Sequence, residues 1–286
     1  MKMPPGTAFP DIAEIAVLDS ATQLTDEHKG KVVVVGSHGG IYPAYLAARW
    51  GVRGIILNDA GVGLEEAGIG SLRYLEAIGV PAAAVSHSSA RIGSGEDMVR
   101  RGIISHVNGL AAHLNCVAGQ NCQDAIFALS KSDTHITSVP AYSESRVLLR
   151  PGTVPVWGID SASLVEPGDA GAIVIAGSHG GLVGGRPETA LRVQALAAVY
   201  HDAGIGVERA GVSRLPVLDA RGIVAAAVDY DSARIGEARS LWETGRLSVV
   251  NNLAASLGVL PGISVKEFAD VVIARYQARV SNLKSS

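Results

Sequence analysis

Two histidines in this chain sit between the same neighbours, in Gly36-Ser37-His38-Gly39-Gly40 and again in Gly177-Ser178-His179-Gly180-Gly181. An imidazole titrates near neutrality, so each is a candidate general acid or base. The flanking glycines would let backbone N–H groups approach a ligand closely. Each stretch follows an apolar run, residues 32–35 and 172–176, and precedes a segment that can form a helix. A helix N-terminus favours an anion, so the serines and glycines of both stretches are candidate ligand contacts.

The other polar candidates recur in the same way. Asp59 opens an Asp-Ala-Gly-x-Gly turn and returns as Asp202. A carboxylate there could orient a histidine, bind a metal or act as a base, although an Asx-turn explains it equally. Ser89-Ala90-Arg91-Ile92-Gly93 returns as Ser232-Ala233-Arg234-Ile235-Gly236. Arg91 and Arg234 could clamp a carboxylate or phosphate, or bridge to an acid on another loop. Ser89 and Ser232 could serve the same ligand or cap the next helix. Glu65 and Glu208 suit the first turn of a helix through its dipole. Asn108 and Asn251 read best as caps or bridges between halves.

These pairs reveal the organisation of the chain. Asp19-Ser20-Ala21 and the His stretch recur 141 residues on, whereas every later match, from Asn58-Asp59 to Asn108, recurs 143 residues on. The sequence therefore reads as a duplication with two residues gained near Gly184-Gly185. Within a half, apolar strands at 15–18, 32–35, 54–57 and 81–85 alternate with helices at 44–50, 64–78, 96–101 and 105–114, and residues 157–257 repeat the set. Continuous apolar strands alternating with helices imply a parallel sheet covered on both faces. The expected fold is α/β, with two pseudo-twofold halves of about four strands each. We divide the chain into a first repeat (1–126), a connector (127–153) with one strand near 146–149, and a second repeat (154–286). The second repeat includes a terminal helix at 265–280 and a frayed end at 282–286. Since the repeated polar residues all follow strand C-termini, they should converge on a shared cleft, where open parallel sheets bind ligands.

The halves also differ. Asn58, Ser86 and Ser88 of the first are matched by His201, Asp229 and Asp231 of the second. His179, His201, Asp202, Asp229 and Asp231 thus form an alternative divalent-metal set. Otherwise no cofactor is expected. Cys116 and Cys122 align with Val259 and Val265, so both read as small core residues.

Composition narrows the partners. Charged residues make up 18% of the chain and the net formal charge is −3, with no basic stripe, which argues against nucleic acid. No apolar run reaches the roughly 18 residues that span a bilayer. Residues 1–10 lack the apolar core of a signal peptide, so a cytoplasmic protein is expected, and a homo-oligomer with it. Gly-x-Gly-x-x-Gly after a strand, Walker A, His-Glu-x-x-His and Gly-x-Ser-x-Gly are all missing. The order of a His-Gly strand end and an Asp-Ala-Gly strand end resembles caspase-like peptidases over those two sites alone. The position of their nucleophile holds Asp59 or Asp202, which excludes a cysteine peptidase, and no family is assigned. The expected function is a cofactor-independent hydrolase or lyase acting on a small carboxylate. His38 and His179 would be acid or base and Asp59 and Asp202 would orient them. The alternatives are a metal-dependent hydrolase and a non-catalytic anion-binding or assembly module.

Overall fold

The computed structural model describes residues 14–133, 136 and 138–284, with side chains to residue 282. The first ten residues, and the last two of the expected frayed end, lie outside the described residues.

The first half holds a five-stranded sheet. β1 (Ile15–Leu18), β2 (Val32–His38), β3 (Gly54–Asn58) and β4 (Ala82–Val85) run parallel in sequence order, and β5 (Ile104–Val107) closes the edge antiparallel to β4. The helices are α1 (Ile41–Arg49), α2 (Gly70–Ala77), α3 (Gly95–Arg101), α4 (Gly109–His113) and α5 (Cys122–Leu129). Alternation along the strands splits the core into two layers. Val33, Val35, Ile55 and Leu57 pack with Ala44, Ala47, Leu72 and Leu75 of α1 and α2. Val32, Val34 and Ile56 pack with Met98, Ala125 and Ile126 of α3 and α5.

The second half holds six strands. β6 (Arg146–Arg150) is antiparallel to β7 (Val156–Ile159), which leads a parallel run through β8 (Ile173–His179), β9 (Ala197–His201) and β10 (Val224–Val228) to an antiparallel β11 (Leu247–Val250). Its helices are α6 (Arg214–Ala220), α7 (Ala238–Thr244), α8 (Asn252–Ser256) and α9 (Val265–Lys284). The molecule is therefore α/β with two similar halves, each built on a mostly parallel sheet.

Four expectations need correction. Residues 105–114 are not one helix. Ile104 is buried in β5, and the strand stops at Asn108, whose side chain caps α4 by accepting from Ala111 N. Residues 64–78 are also not one helix, because Glu65 and Glu66 have φ of 53° and 56°, and regular α-helix begins only at Gly70. No counterpart of α1 follows His179. The chain there makes single turns at Val183–Gly185 and Pro187–Thr189, where Gly184, Gly185 and Pro187 disfavour helix. Residues 282–284 continue α9 instead of fraying.

The halves meet through loops. Ala60, Ala67 and Ile92 pack with Ala203, Ala210 and Ile235 in one small cluster. Leu64 N donates to Tyr230 O and Val207 N donates to His87 O, both at 2.9 Å, a reciprocal pair. Gly61 and Gly204 face each other so closely that a Cβ on either would lie 3.0 Å from the other's Cα. Among the described residues no helix is long and apolar enough to cross a membrane.

Candidate functional site: a cleft between the halves

Both candidate histidines are placed by a bulge. Pairing between β2 and β3 runs in register to Val34–Ile56 and resumes at His38–Asn58, so β2 carries two more residues than its neighbour. The same jump, from Ile175–Val199 to His179–His201, occurs between β8 and β9. Such a bulge re-aims the residues that follow it. Here it turns His38 and His179 toward each other, with ring centres 6.5 Å apart and planes at 76°.

The glycines serve the histidines, contrary to the ligand-contact expectation. Gly40 N donates to His38 Nδ1 at 3.1 Å, and Gly181 N donates to His179 Nδ1 at 3.2 Å. A Cβ at Gly40 would sit 2.7 Å from the His38 ring. Gly39 N and Gly180 N donate to Asn58 O and His201 O. All four N–H groups are occupied within the protein.

These bonds set the chemistry of the rings. With Nδ1 accepting a backbone proton, each neutral imidazole carries its own proton on Nε2. Burial, with His201 adding to it, pushes the His38 pKa down to about 4. Burial first, and then the Arg214 guanidinium, lowers that of His179 well below the usual value. At neutral pH both are uncharged hydrogen-bond donors. Of the acid or base roles expected for them, the bonds from Gly40 N and Gly181 N engage the lone pair that a neutral ring would use as a base.

The cleft has two lobes. The larger, of about 320 Å³, is lined by Ser20, Ser37 and His38 of the first half and by Ser161, Ser178 and His179 of the second. The smaller, of about 200 Å³, lies against Arg73, Tyr142 and Arg234. His38, Tyr42 and Glu144 line both lobes and mark where they join. Ser37 and Ser178 accept from Ala21 N and Ala162 N at 2.9 and 2.8 Å, leaving their protons free for a ligand.

Glu144 was not a sequence candidate. It precedes β6 in the connector, where no residue of the first half can be compared with it. Burial, with the Asp160 carboxylate second, pushes its pKa up to about 8, against hydrogen bonds from Tyr42 and Ser161. One carboxyl oxygen, Oε2, is buried without a hydrogen-bond partner. An acid so perturbed, in a cleft beside two fixed donors, has the makings of a proton donor.

Arg214 was also missed. It is 3% exposed and lines the larger lobe. Nε donates to Gly181 O at 2.9 Å, and a terminal nitrogen donates to Thr189 O and Ala190 O at 2.5 Å. The signal was present in the sequence, since position 214 aligns with Ser71 across the halves. Backbone contacts match there too: Ser71 N donates to Gly39 O and Arg214 N to Gly180 O.

The remaining candidates lie elsewhere. Asp59 accepts from Gly61 N and from both His87 N and His87 Nδ1, the latter two at 2.8 Å. Asp202 accepts from Gly204 N at 2.9 Å, and burial raises its pKa to about 6. Both carboxylates fix the Asp-Ala-Gly turn, and neither lines the cleft. Arg91 pairs with Asp97 and, across the halves, with Glu208 at 3.5 Å. Arg234 pairs with Glu237 and with Glu65 of the first half. The recurring Arg–Glu couples therefore join the halves, although Arg234 also borders the smaller lobe. Ser89 and Ser232 accept from Ile103 N and Arg246 N, bracing the edge strands, while Ser94 caps α3. The cysteines are buried, and burial pushes their thiols up to about 11 and about 12.

The alternative metal set does not assemble. His201 Nδ1 accepts from Ala203 N and Nε2 donates to Ala233 O, both at 3.1 Å, so neither nitrogen can ligate. Asp229 accepts from Asp231 N in a local turn. Among the described residues no group of three or more His, Cys, Asp or Glu side chains is arranged to hold a metal ion. Comparison of the chain with protein-family models, with curated proteins and with solved structures finds no match in any of the three.

Proposed function

We propose that the cleft is the active site of a cofactor-independent enzyme, hydrolase or lyase in type, acting on a small carboxylate-bearing molecule. The carrying observation is the pair of histidines, one from each half, with Nδ1 of each held by the backbone and Nε2–H left for the cleft. Two neutral imidazole donors suit an oxygen on which negative charge develops, as in addition to a carbonyl or loss of a group beside one. Neutral donors stay uncharged across the physiological range, so they hold that oxygen without a titration of their own. Glu144 supplies the proton that the departing group takes with it. In a hydrolysis, water then provides the hydroxyl for the substrate and the proton that restores Glu144. In an elimination, the substrate's own carbon-bound proton restores it.

The test uses a panel of small carboxylic acids with their amides and esters, followed by mass spectrometry for product and by ligand-induced shifts in melting temperature. Conversion by the native chain, lost in His38→Ala and His179→Ala variants that remain folded, supports the reading. Retained donor function in His38→Gln, which keeps an N–H near the Nε2 position, separates donation from base catalysis. Full conversion in both alanine variants would overturn it, and binding without product would favour the non-catalytic alternative.

A further inference from the structure

The larger lobe carries an excess of positive charge: Arg186, Arg192 and Arg214 line it, against the carboxyls of Glu188 and Glu144. Arg214 donates to three backbone carbonyls and lies over the Tyr200 ring, with its guanidinium carbon 5.0 Å from the ring centre. Carbonyls and an aromatic face solvate a guanidinium but do not cancel its charge. Among the described residues Arg214 has no acidic group within ion-pair distance, unlike the arginines at 91, 101, 146, 150 and 234. A buried charge without a counter-charge is costly, and a ligand of opposite sign relieves that cost.

Two exposed arginines, Arg186 and Arg192, line the same lobe, and the acids there are Glu188 and Glu144. Glu144, with its pKa about 8, contributes little negative charge at neutral pH. The loop that brings Arg186 and Arg192 in is the one that replaces a helix in the second half. Its carbonyls at 189 and 190 are the ones that receive Arg214. The loop and the buried arginine thus form one feature that the first half, with Ser71 and α1, lacks.

We propose that Arg214, Arg186 and Arg192 form a subsite for a compact dianion, which is the end of the substrate farther from the reacting bond. This rests on the cleft being the ligand site. It makes the cleft directional: the doubly charged end sits in the larger lobe against the loop that carries Arg186 and Arg192, and the bond to be broken lies between the two histidines and Glu144. The shared ligand chemistry is two negative charges within a few ångströms, met either by a phosphate monoester or by a pair of carboxylates.

Isothermal titration of the full chain with inorganic phosphate, malonate and succinate, at fixed ionic strength with chloride as control, tests this. Phosphate or a dicarboxylate should bind and chloride should not, and the tighter of the two identifies the source. Arg192→Ala, an exposed change that leaves the unliganded melting temperature in place, should weaken binding about tenfold, the worth of one charge-assisted hydrogen bond. Arg214→Gln should abolish binding, and Arg214→Lys, which keeps charge but not the fork, should restore part of it. If no probe binds the native chain, or if Arg192→Ala binds as the native chain does, the subsite is overturned. Histidine-dependent conversion that is indifferent to both arginines would overturn the subsite alone. Dianion binding lost in the arginine variants, without turnover of any acid, would overturn the catalytic reading alone.

Discussion

Replacing Glu144 with glutamine should change how stability depends on pH, and this can be measured without knowing the substrate. The carboxyl has its pKa moved from 4.5 to about 8, chiefly by burial and then by Asp160. A raised carboxyl pKa means the folded chain keeps a proton that the unfolded chain releases. Stability contributed by that proton is whole below pH 4.5, falls as pH rises through the window, and is gone above about 8. At about 1.4 kcal/mol per unit the full shift corresponds to about 5 kcal/mol, and solvent reaching the cleft reduces this to about 2–3 kcal/mol. Urea denaturation followed by circular dichroism at steps from pH 4 to 9 gives the two curves. Near pH 4 the native chain and Glu144→Gln should be equally stable. By pH 9 the variant should be the more stable by about 2 kcal/mol or more. Asp202, raised to about 6, bends both curves alike and cancels in the difference. Curves that stay parallel across the window would show that Glu144 titrates as an ordinary surface carboxyl, and its assignment as the proton donor would fail with them.

Two further outcomes follow from the histidines. In nitrogen-15 spectra, His38 and His179 should remain neutral with the proton on Nε2 from pH 8 to pH 5, His38 protonating only near 4. A midpoint near 6.5 for either ring, or a proton on Nδ1, would contradict the backbone bonds from Gly40 and Gly181. His201→Asn should be tolerated, because Asn58 already does the same work in the first half. There Oδ1 accepts from Ala60 N at 3.0 Å and Nδ2 donates to Ala90 O at 3.4 Å. His201→Ala should cost about 1–3 kcal/mol more in urea denaturation, since it strands a buried N–H at Ala203 and a carbonyl at Ala233. Equal stability of the two variants would refute that account.

The sequence made the architecture legible wherever the signal was a repeat or an uninterrupted apolar run. Strands β2, β3, β8 and β9 are Val-, Ile- and Ala-rich and lie where such runs predict. Legibility failed where a long-range partner decides local form. Residues 104–107 become a strand because β4 offers an open edge, and the turn after Asp59 takes left-handed backbone that side-chain types do not announce. The same division holds at the site. His38 and His179 were visible because both halves carry them. Asp59 and Asp202 recur for a different reason, which is to tie their turns, so recurrence within one chain marks a shared frame as readily as shared chemistry. Glu144 could not be found by comparing halves because the connector occurs once. Arg214 could have been found, by asking what the second half has gained and not what both have kept.

That frame bears on the proposed chemistry through distance. The two rings belong to different halves, so their 6.5 Å separation is only as firm as the docking between halves. The docking loops are built expensively. Ala60, Val62, Glu65 and Glu66 have φ between 49° and 65°, and Ala203, Ile205, Glu208 and Arg209 repeat this between 51° and 63°. Left-handed backbone costs roughly 1–2 kcal/mol at each such residue, most at the β-branched Val62 and Ile205. Such a conformation persists only when its surroundings over-determine it. Here they do: Asp59 and Asp202 accept the N–H groups of Gly61 and Gly204, and Asn58 and His201 accept those of Ala60 and Ala203. Loops fixed in this way present Leu64 N and Val207 N to the opposite half in one geometry and bring Gly61 against Gly204. The aspartates that the sequence suggested as partners of the histidines bond instead to Gly61, His87 and Gly204. They hold the turns on which the halves dock, and the docking sets how far apart the two Nε2–H donors stand.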